Sequence, residues 1–252
     1  EFDRKRKPNV EYAGMMEYDG DLHVPAQYLV SPPSIDRTMA EYLCATGLKQ
    51  FSISETQKFG HVTYFFNGNK TGKFNEELEE YVEIPSDIVP FEERPWMKCA
   101  EIADRVINEV ESGKWDLIKL NFPNGDMVGH TGVFEAVVCS MEAMDLQIGR
   151  IWDAIKKAGG VMVVTADHGN ADDMYEHGKD GSLKLKKDGE PKSKTSHSPN
   201  PVPCIICDSA YNGEYSKELK SGLGISSIPA TLMNLLGYDA PEDYDPSVIT
   251  LN

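Results

Sequence analysis

Apolar residues recur every three to four positions through Val137, Met141, Met144, Ile148, Ile151 and Ile155, which predicts one long helix over 134–158 with that stripe facing inward. Ile102, Val106 and Val110 predict a shorter helix upstream, and Ser227 to Leu236 a last one. Earlier in the chain, Ser34 reads as an N-cap for a helix carrying Ile35, Met39 and Leu43, with Gly47 as its stop. Short apolar runs predict strands at Phe51 to Ser54, His61 to Phe66, Trp115 to Asn121, Gly160 to Thr165 and Val202 to Cys207. Apolar strands joined by helices imply a mainly parallel sheet covered by helices on both faces, an α/β fold.

The remaining stretches read as connections. Val10 to Tyr18 is mixed, Asp19-Gly20-Asp21 is turn chemistry, and Ser31-Pro32-Pro33 closes the opening segment. Asn75 to Glu93 is acidic and proline-punctuated, which predicts a solvated excursion. Lys179 to Lys194 is lysine-rich and glycine-punctuated and reads as a mobile loop. The chain opens without methionine on a charged run, Glu1 to Lys7, and is expected to be a piece of a longer protein.

Composition narrows the function classes. A length of 252 residues with 40% hydrophobic and 26% charged positions suits a soluble globular protein. The net charge of −16 argues against nucleic acid or an acidic membrane surface as partner, and no membrane span is visible in the sequence. An anionic substrate would therefore need local cations or a metal. Five scattered cysteines fit a reducing compartment, so a cytoplasmic protein is expected. Cys204 and Cys207 lie inside an apolar run and read as strand residues rather than a redox or zinc pair. Gly68 to Lys73 is one residue too short for a phosphate loop and lacks the following Ser or Thr.

Three clusters carry the candidate chemistry: Asp126 to His130, Thr165 to Asn170, and Thr195 to Pro201. Four of the six histidines lie in or near them, with only His23 and His61 remote. Asp and neutral His suit divalent ions such as Mn²⁺ and Zn²⁺ better than Mg²⁺. Asp126 and His130 are spaced i to i+4, which puts both on one face of a helical turn. Asp167 and His168, being adjacent, cannot share a helix face, which allows them to address two different ions. Each cluster alone is as readily a hydrogen-bonded core feature. Together, each at a strand terminus, they predict a two-metal phosphoryl-transfer site.

The run Asn124-Gly125-Asp126-Met127-Val128-Gly129-His130-Thr131-Gly132, the Thr165 to Asn170 run, Thr195-Ser196-His197 leading into Asn200-Pro201-Val202-Pro203, and Ser54 to Gly68 resemble the cofactor-independent phosphoglycerate mutases, in that family's order from about Phe2 onward. The resemblance implies an alkaline-phosphatase-like domain, here partial at 33–252, preceded by the tail of a phosphotransferase domain and linker at 1–32. It implies interconversion of 3-phosphoglycerate and 2-phosphoglycerate through a phosphoserine, with two Mn²⁺ ions and no 2,3-bisphosphoglycerate, in a monomeric enzyme. Carried over by motif, Asp126, His130 and His197 would hold one metal, Asp167 and His168 part of the other, and Lys58 would sit beside the transferred phosphate. Glu55 shares that last motif, either as a site residue or as a surface carboxylate.

The resemblance also marks departures. The family's nucleophilic serine, first metal-binding aspartate and substrate-gripping arginines have no counterpart in these residues, so the chain alone is expected to be inactive without the N-terminal half. Two alternatives are another metalloenzyme of the same superfamily, such as a phosphopentomutase, and a non-catalytic metal-binding module.

Overall fold

The computed structural model describes residues 3, 5–17, 24–33 and 35–252. Its centre is a three-stranded parallel sheet in the order β4-β3-β5, with β3 (Gln50–Glu55) flanked by β4 (Glu79–Ile84) and β5 (Leu117–Asn121). Alternation sorts the two faces of β3. Phe51 and Ile53 point to a core shared with Ile102, Ala103 and Val106 of α2 (Cys99–Ser112) and Ile151 of α4 (Phe134–Ala158). Gln50, Ser52 and Ser54 take the opposite face and are also buried. On that side Met39 and Leu43 of α1 (Met39–Ala45) pack with Met233 of α5 (Ile228–Leu235).

The helical stripes read from the sequence form as expected. Both α2 and α4 end on glycines in the left-handed region, Gly113 at φ 61° and Gly159 at φ 73°, where a Cβ would be strained. α1 begins later than the sequence suggested, after Thr38, and leaves Ile35 exposed; the proposed cap Ser34 lies outside the described residues, as does the turn at 19–21.

Three expectations need correction. His61–Phe65 is a π-helical turn rather than a strand: its aromatic and β-branched residues favour extended backbone, but they follow the 3₁₀ turn that ends the central strand β3 and lie beyond the sheet's hydrogen-bond ladder. The supposed excursion at 75–93 contains β4. Glu79 is buried there because its carboxylate accepts from the backbone N–H of Asn75 (3.0 Å) and the Tyr81 hydroxyl (2.6 Å), while Val82 and Ile84 reach the core. The expected parallel sheet is that of β3, β4 and β5, and beside it β6 (Val161–Thr165) and β7 (Cys204–Asp208) form a separate antiparallel pair, partly uncovered, with Val161 and Ile205 exposed. The lysine-rich stretch is a hydrogen-bonded meander, bridged at Tyr175↔Ser193, His177↔Leu183 and Leu185↔Pro191.

At the other end of the chain, β1 (Gly14–Met16) and β2 (Tyr28–Val30) form a two-stranded parallel ribbon whose Met15, Leu29 and Val30 are exposed. No helix among the described residues is long and apolar enough to cross a membrane.

Candidate metal centre

The carboxyl end of β5 leads through Pro123 into a short helix, α3 (Asn124–Gly129), which places Asp126 in its first turn and His130 at its C-cap. The backbone N–H of His130 donates to Asp126 O at 3.0 Å, so one helical turn aligns the two side chains, as their i to i+4 spacing requires. The buried Asn124 amide donates to Trp96 O (3.1 Å) and Ser140 Oγ (3.3 Å), which fixes α3 against α4. Asp167 and His168 follow β6 directly. Because β7 runs antiparallel with Thr165 opposite Cys204, the segment before β7 returns to the end of β6 that carries them. That reversal delivers His197. Ser198 N–H donates to Gly169 O (2.9 Å), and Asp172 accepts from Ser198 Oγ (2.7 Å) and Asn200 Nδ2 (2.6 Å), which stitches the two loops together. Those two donors hold Asp172 ionised, outweighing the upward push of its partial burial.

The three clusters converge on one oxygen. His130 Nε2 and His197 Nε2 each lie 3.0 Å from Asp126 Oδ1 and 3.1 Å from each other, and His168 Nε2 lies 3.9 Å away. The His168 ring stacks on that of His197 with centroids 3.7 Å apart. One ligand atom from each of Asp126, His168 and His197 fits within a 4.8 Å span. His130 Nδ1 is 2.7 Å from Thr195 O; a carbonyl only accepts, so Nδ1 carries the hydrogen and the neutral ring presents its Nε2 lone pair to the centre. A hydrogen on His197 Nε2 or a cation among these atoms relieves their mutual repulsion, and one carboxylate with several imidazoles is a donor set that fits a divalent metal.

On its far side Asp126 is held by Lys58, whose Nζ lies 2.6 Å from Oδ2. Lys58 is buried at the end of the single 3₁₀ turn Thr56–Lys58 that follows β3. Burial pushes the Asp126 carboxyl up, but hydrogen bonds from Lys58 and Asn170, with the Lys58 charge, bring it down to about 2. Asp126 is thus ionised at any physiological pH.

The other residues singled out from the sequence fall around this centre. Asp167 sits at the rim, half-exposed, 3.6 Å from His168 Nε2, and lines a cleft of about 430 Å³ with Pro201, Leu223 and Ile228. His168 therefore stands between two carboxylates. Glu55 is no surface carboxylate: it is buried, its Oε2 accepts from the Lys98 backbone N–H at 3.0 Å, and burial raises its pKa. It ties the end of β3, just before the turn that carries Lys58, to the start of α2. His61, remote in sequence from the His clusters, is drawn to the site by the turn after Lys58. Burial and then the Lys58 cation lower its pKa, against the pull of Asp167 and Asp126. Its place three residues after Lys58 was the available signal. The side chains of Cys204 and Cys207 are free within or at the start of β7, as the strand reading required.

This architecture of an α/β sheet with a carboxylate and imidazole centre at its strand ends is that of a superfamily: residues 3–240 match the metalloenzyme superfamily, and the chain belongs to it. Within it, the chain is similar to the cofactor-independent phosphoglycerate mutases. It is 51% identical over 251 residues to 2,3-bisphosphoglycerate-independent phosphoglycerate mutase 1 of Arabidopsis thaliana and 47% identical to the mutase of Trypanosoma brucei brucei; each match covers 98% of this chain and 45% of the relative. A solved structure of Leishmania mexicana phosphoglycerate mutase at low cobalt concentration superposes with a TM-score of 0.93 at 46% identity, over 100% of this chain and 46% of that one. The chain thus spans a little under half the length of the relatives it matches, and its fold is the alkaline-phosphatase-like fold expected from the motifs.

Proposed function

We propose that this chain is the metal-binding C-terminal half of a cofactor-independent phosphoglycerate mutase, which interconverts 3-phosphoglycerate and 2-phosphoglycerate through a phosphoserine without 2,3-bisphosphoglycerate. The observation that carries the reading is the convergence of three imidazoles on Asp126 Oδ1, with Lys58 on the opposite oxygen. Residues 33–252 form most of the phosphatase-like domain and 1–32 the tail of the phosphotransferase domain and linker. The exposed apolar side chains Met15, Leu29 and Val30 support that division, since a two-stranded ribbon does not stand alone.

Asp126, His130 and His197 hold one divalent ion, and Asp167 with His168 supply part of a second site. Mn²⁺ is the assigned metal, Zn²⁺ or another first-row ion the substitute; the cobalt used with the Leishmania mexicana enzyme supports a first-row ion. When bound, the metals polarise the phosphoryl oxygens and offset charge on the attacking and leaving atoms. The protein's part is positional. Lys58 keeps Asp126 ionised and presents an ammonium beside the transferred phosphate, Thr195 O fixes the His130 tautomer, and Asp172 holds the His197 loop in place. Cytoplasmic location and a monomeric state complete the reading, and the five free cysteines fit a reducing compartment.

The nucleophile and arginines belong to the part of the relatives that this chain does not span, so the 252 residues alone should not turn over substrate. The test is a coupled assay for 2-phosphoglycerate with saturating Mn²⁺, run on the purified chain alone and joined to the N-terminal half of a relative. Activity only in the joined protein, abolished by His130→Ala, supports the reading. Turnover by the chain alone that disappears in His130→Ala would overturn the division of labour, and no turnover by the joined protein would overturn the assignment itself.

A further inference from the structure

Asn170 stands among the side chains around Asp126 without an assigned part. Asn170 is 4% exposed and follows Asp167-His168-Gly169 at the end of β6. Its Nδ2 donates twice to a single residue, to Asp126 Oδ1 at 2.9 Å and to Asp126 backbone O at 3.1 Å. Its Oδ1 is buried with no hydrogen-bond partner among the described residues. Turning the amide over would aim Oδ1 at two acceptors, so the amide is oriented by Asp126 at the expense of its own oxygen. Room for it is made by Gly129, where a Cβ would run into Asn170 Oδ1 and Cγ.

The two oxygens of Asp126 are thereby given different tasks. All three imidazole Nε2 atoms approach Oδ1, while Oδ2 faces Lys58 Nζ at 2.6 Å. Oδ1 has two lone pairs. The Asn170 amide takes one, which leaves a single lone pair directed at the imidazoles. Because the same NH₂ also holds the backbone oxygen of Asp126, it locks the carboxylate to its own main chain and stops it from rotating both oxygens toward an ion.

We infer that Asn170 is a positioning residue that makes Asp126 a one-oxygen ligand, and so biases the centre toward small transition-metal ions of low coordination number and against larger ions of high coordination number that a two-oxygen carboxylate favours, such as Ca²⁺. The inference deepens the metal-centre reading above and rests on it.

Cobalt(II) reports coordination number directly, because its visible d–d bands weaken and shift to shorter wavelength as the number rises. The experiment titrates the metal-free 252-residue chain with Co²⁺, with Ca²⁺ as competitor, and compares Asn170→Leu, which keeps the shape of the amide without its donor. The expected result is Co²⁺ affinity lower by about 10–100-fold, the usual effect of removing a partner that orients a ligand. Weaker, blue-shifted bands and better competition by Ca²⁺ should accompany it. Gly129→Ala displaces the same amide without deleting it, should move the spectrum in the same direction, and carries the test if Asn170→Leu does not fold. A folded variant with unchanged spectrum and unchanged Co²⁺ to Ca²⁺ preference overturns the role of Asn170 while leaving the metal centre standing. A wild-type chain that binds no Co²⁺ overturns both.

Discussion

Replacing Lys119 with methionine should stabilise this protein, and by an amount that changes with pH. Lys119 lies on β5, on the sheet face shared with Ser52 and Tyr81, and is 8% exposed. Its Nζ has no hydrogen-bond partner among the described residues and rests 4.0 Å from the centre of the Phe66 ring. Burial lowers its pKa from 10.5 to about 8, against the opposing pull of Glu79 and Cys44. A folded-state pKa below the unfolded one means that the unfolded chain binds more protons between those values, so stability rises with pH across that window. Below pH 8 the buried ammonium costs about 3 kcal/mol, since each tenfold change in the protonation equilibrium is worth about 1.4 kcal/mol. Between pH 7 and 9.5 about 2 kcal/mol of that cost should disappear. Methionine has a similar length, cannot titrate and contacts an aromatic ring favourably. The assay is urea unfolding of wild type and Lys119→Met at intervals from pH 7 to 9.5. Taking the difference removes the other titrating groups, Tyr81 and Cys44 among them. The methionine variant should lead at pH 7, with its lead narrowing by about 2 kcal/mol at pH 9.5. A difference that stays flat with pH would refute the reasoning and show that the amine keeps an ordinary pKa.

Three further outcomes can be checked. Lys58→Ala in the joined, active protein should lower kcat by roughly 10² or more, as loss of an ammonium from a developing charge does; a change in KM alone would make Lys58 a uniform binding contact. His197→Ala should reduce the Mn²⁺ or Zn²⁺ retained by the chain on elemental analysis, and unchanged metal content would remove His197 from the ligand set. Ile102→Ala, at a fully buried position between α2 and the sheet, should cost about 2–5 kcal/mol in urea unfolding, and a loss under about 1 kcal/mol would mean the site collapses around the deletion.

The helices and the gathering of the Asp and His clusters were the most legible parts of the sequence, for different reasons. α4 repeats its apolar stripe over 25 residues, long enough for periodicity to decide without help from the rest of the fold. The clustering was legible because histidine is scarce, six in the chain, and four of the six fall in or near three short runs that also carry Asp. β4 was hidden by its composition, Glu-Glu-Tyr-Val-Glu-Ile, because the bonds that make a buried Glu79 tolerable come from Phe74, Asn75 and Tyr81 in the folded chain. The turn at His61 is hidden because its residues favour strand locally, and only its place past the end of the central strand leaves them without a pairing partner. Asn170 was quoted within a motif yet given no role: its meaning lies in which atoms of a residue 44 positions earlier it touches, and no local pattern encodes that.

The bridge between Gly169 and Ser198 closes the base of the lysine-rich meander, and of the residues within it Thr195, next to that base, is the one whose carbonyl holds His130. Both ends of that excursion are fastened where His168 and His197 sit, so the imidazoles take their positions from the bridge and from Asp172. Doubling such a connection adds only about 0.6 kcal/mol of closure entropy. The meander is therefore a place where sequence can be lengthened, shortened or exchanged between relatives at small thermodynamic cost. The Lys186 to Gly189 turn at its tip is a natural point of attachment for a fluorophore or an affinity handle.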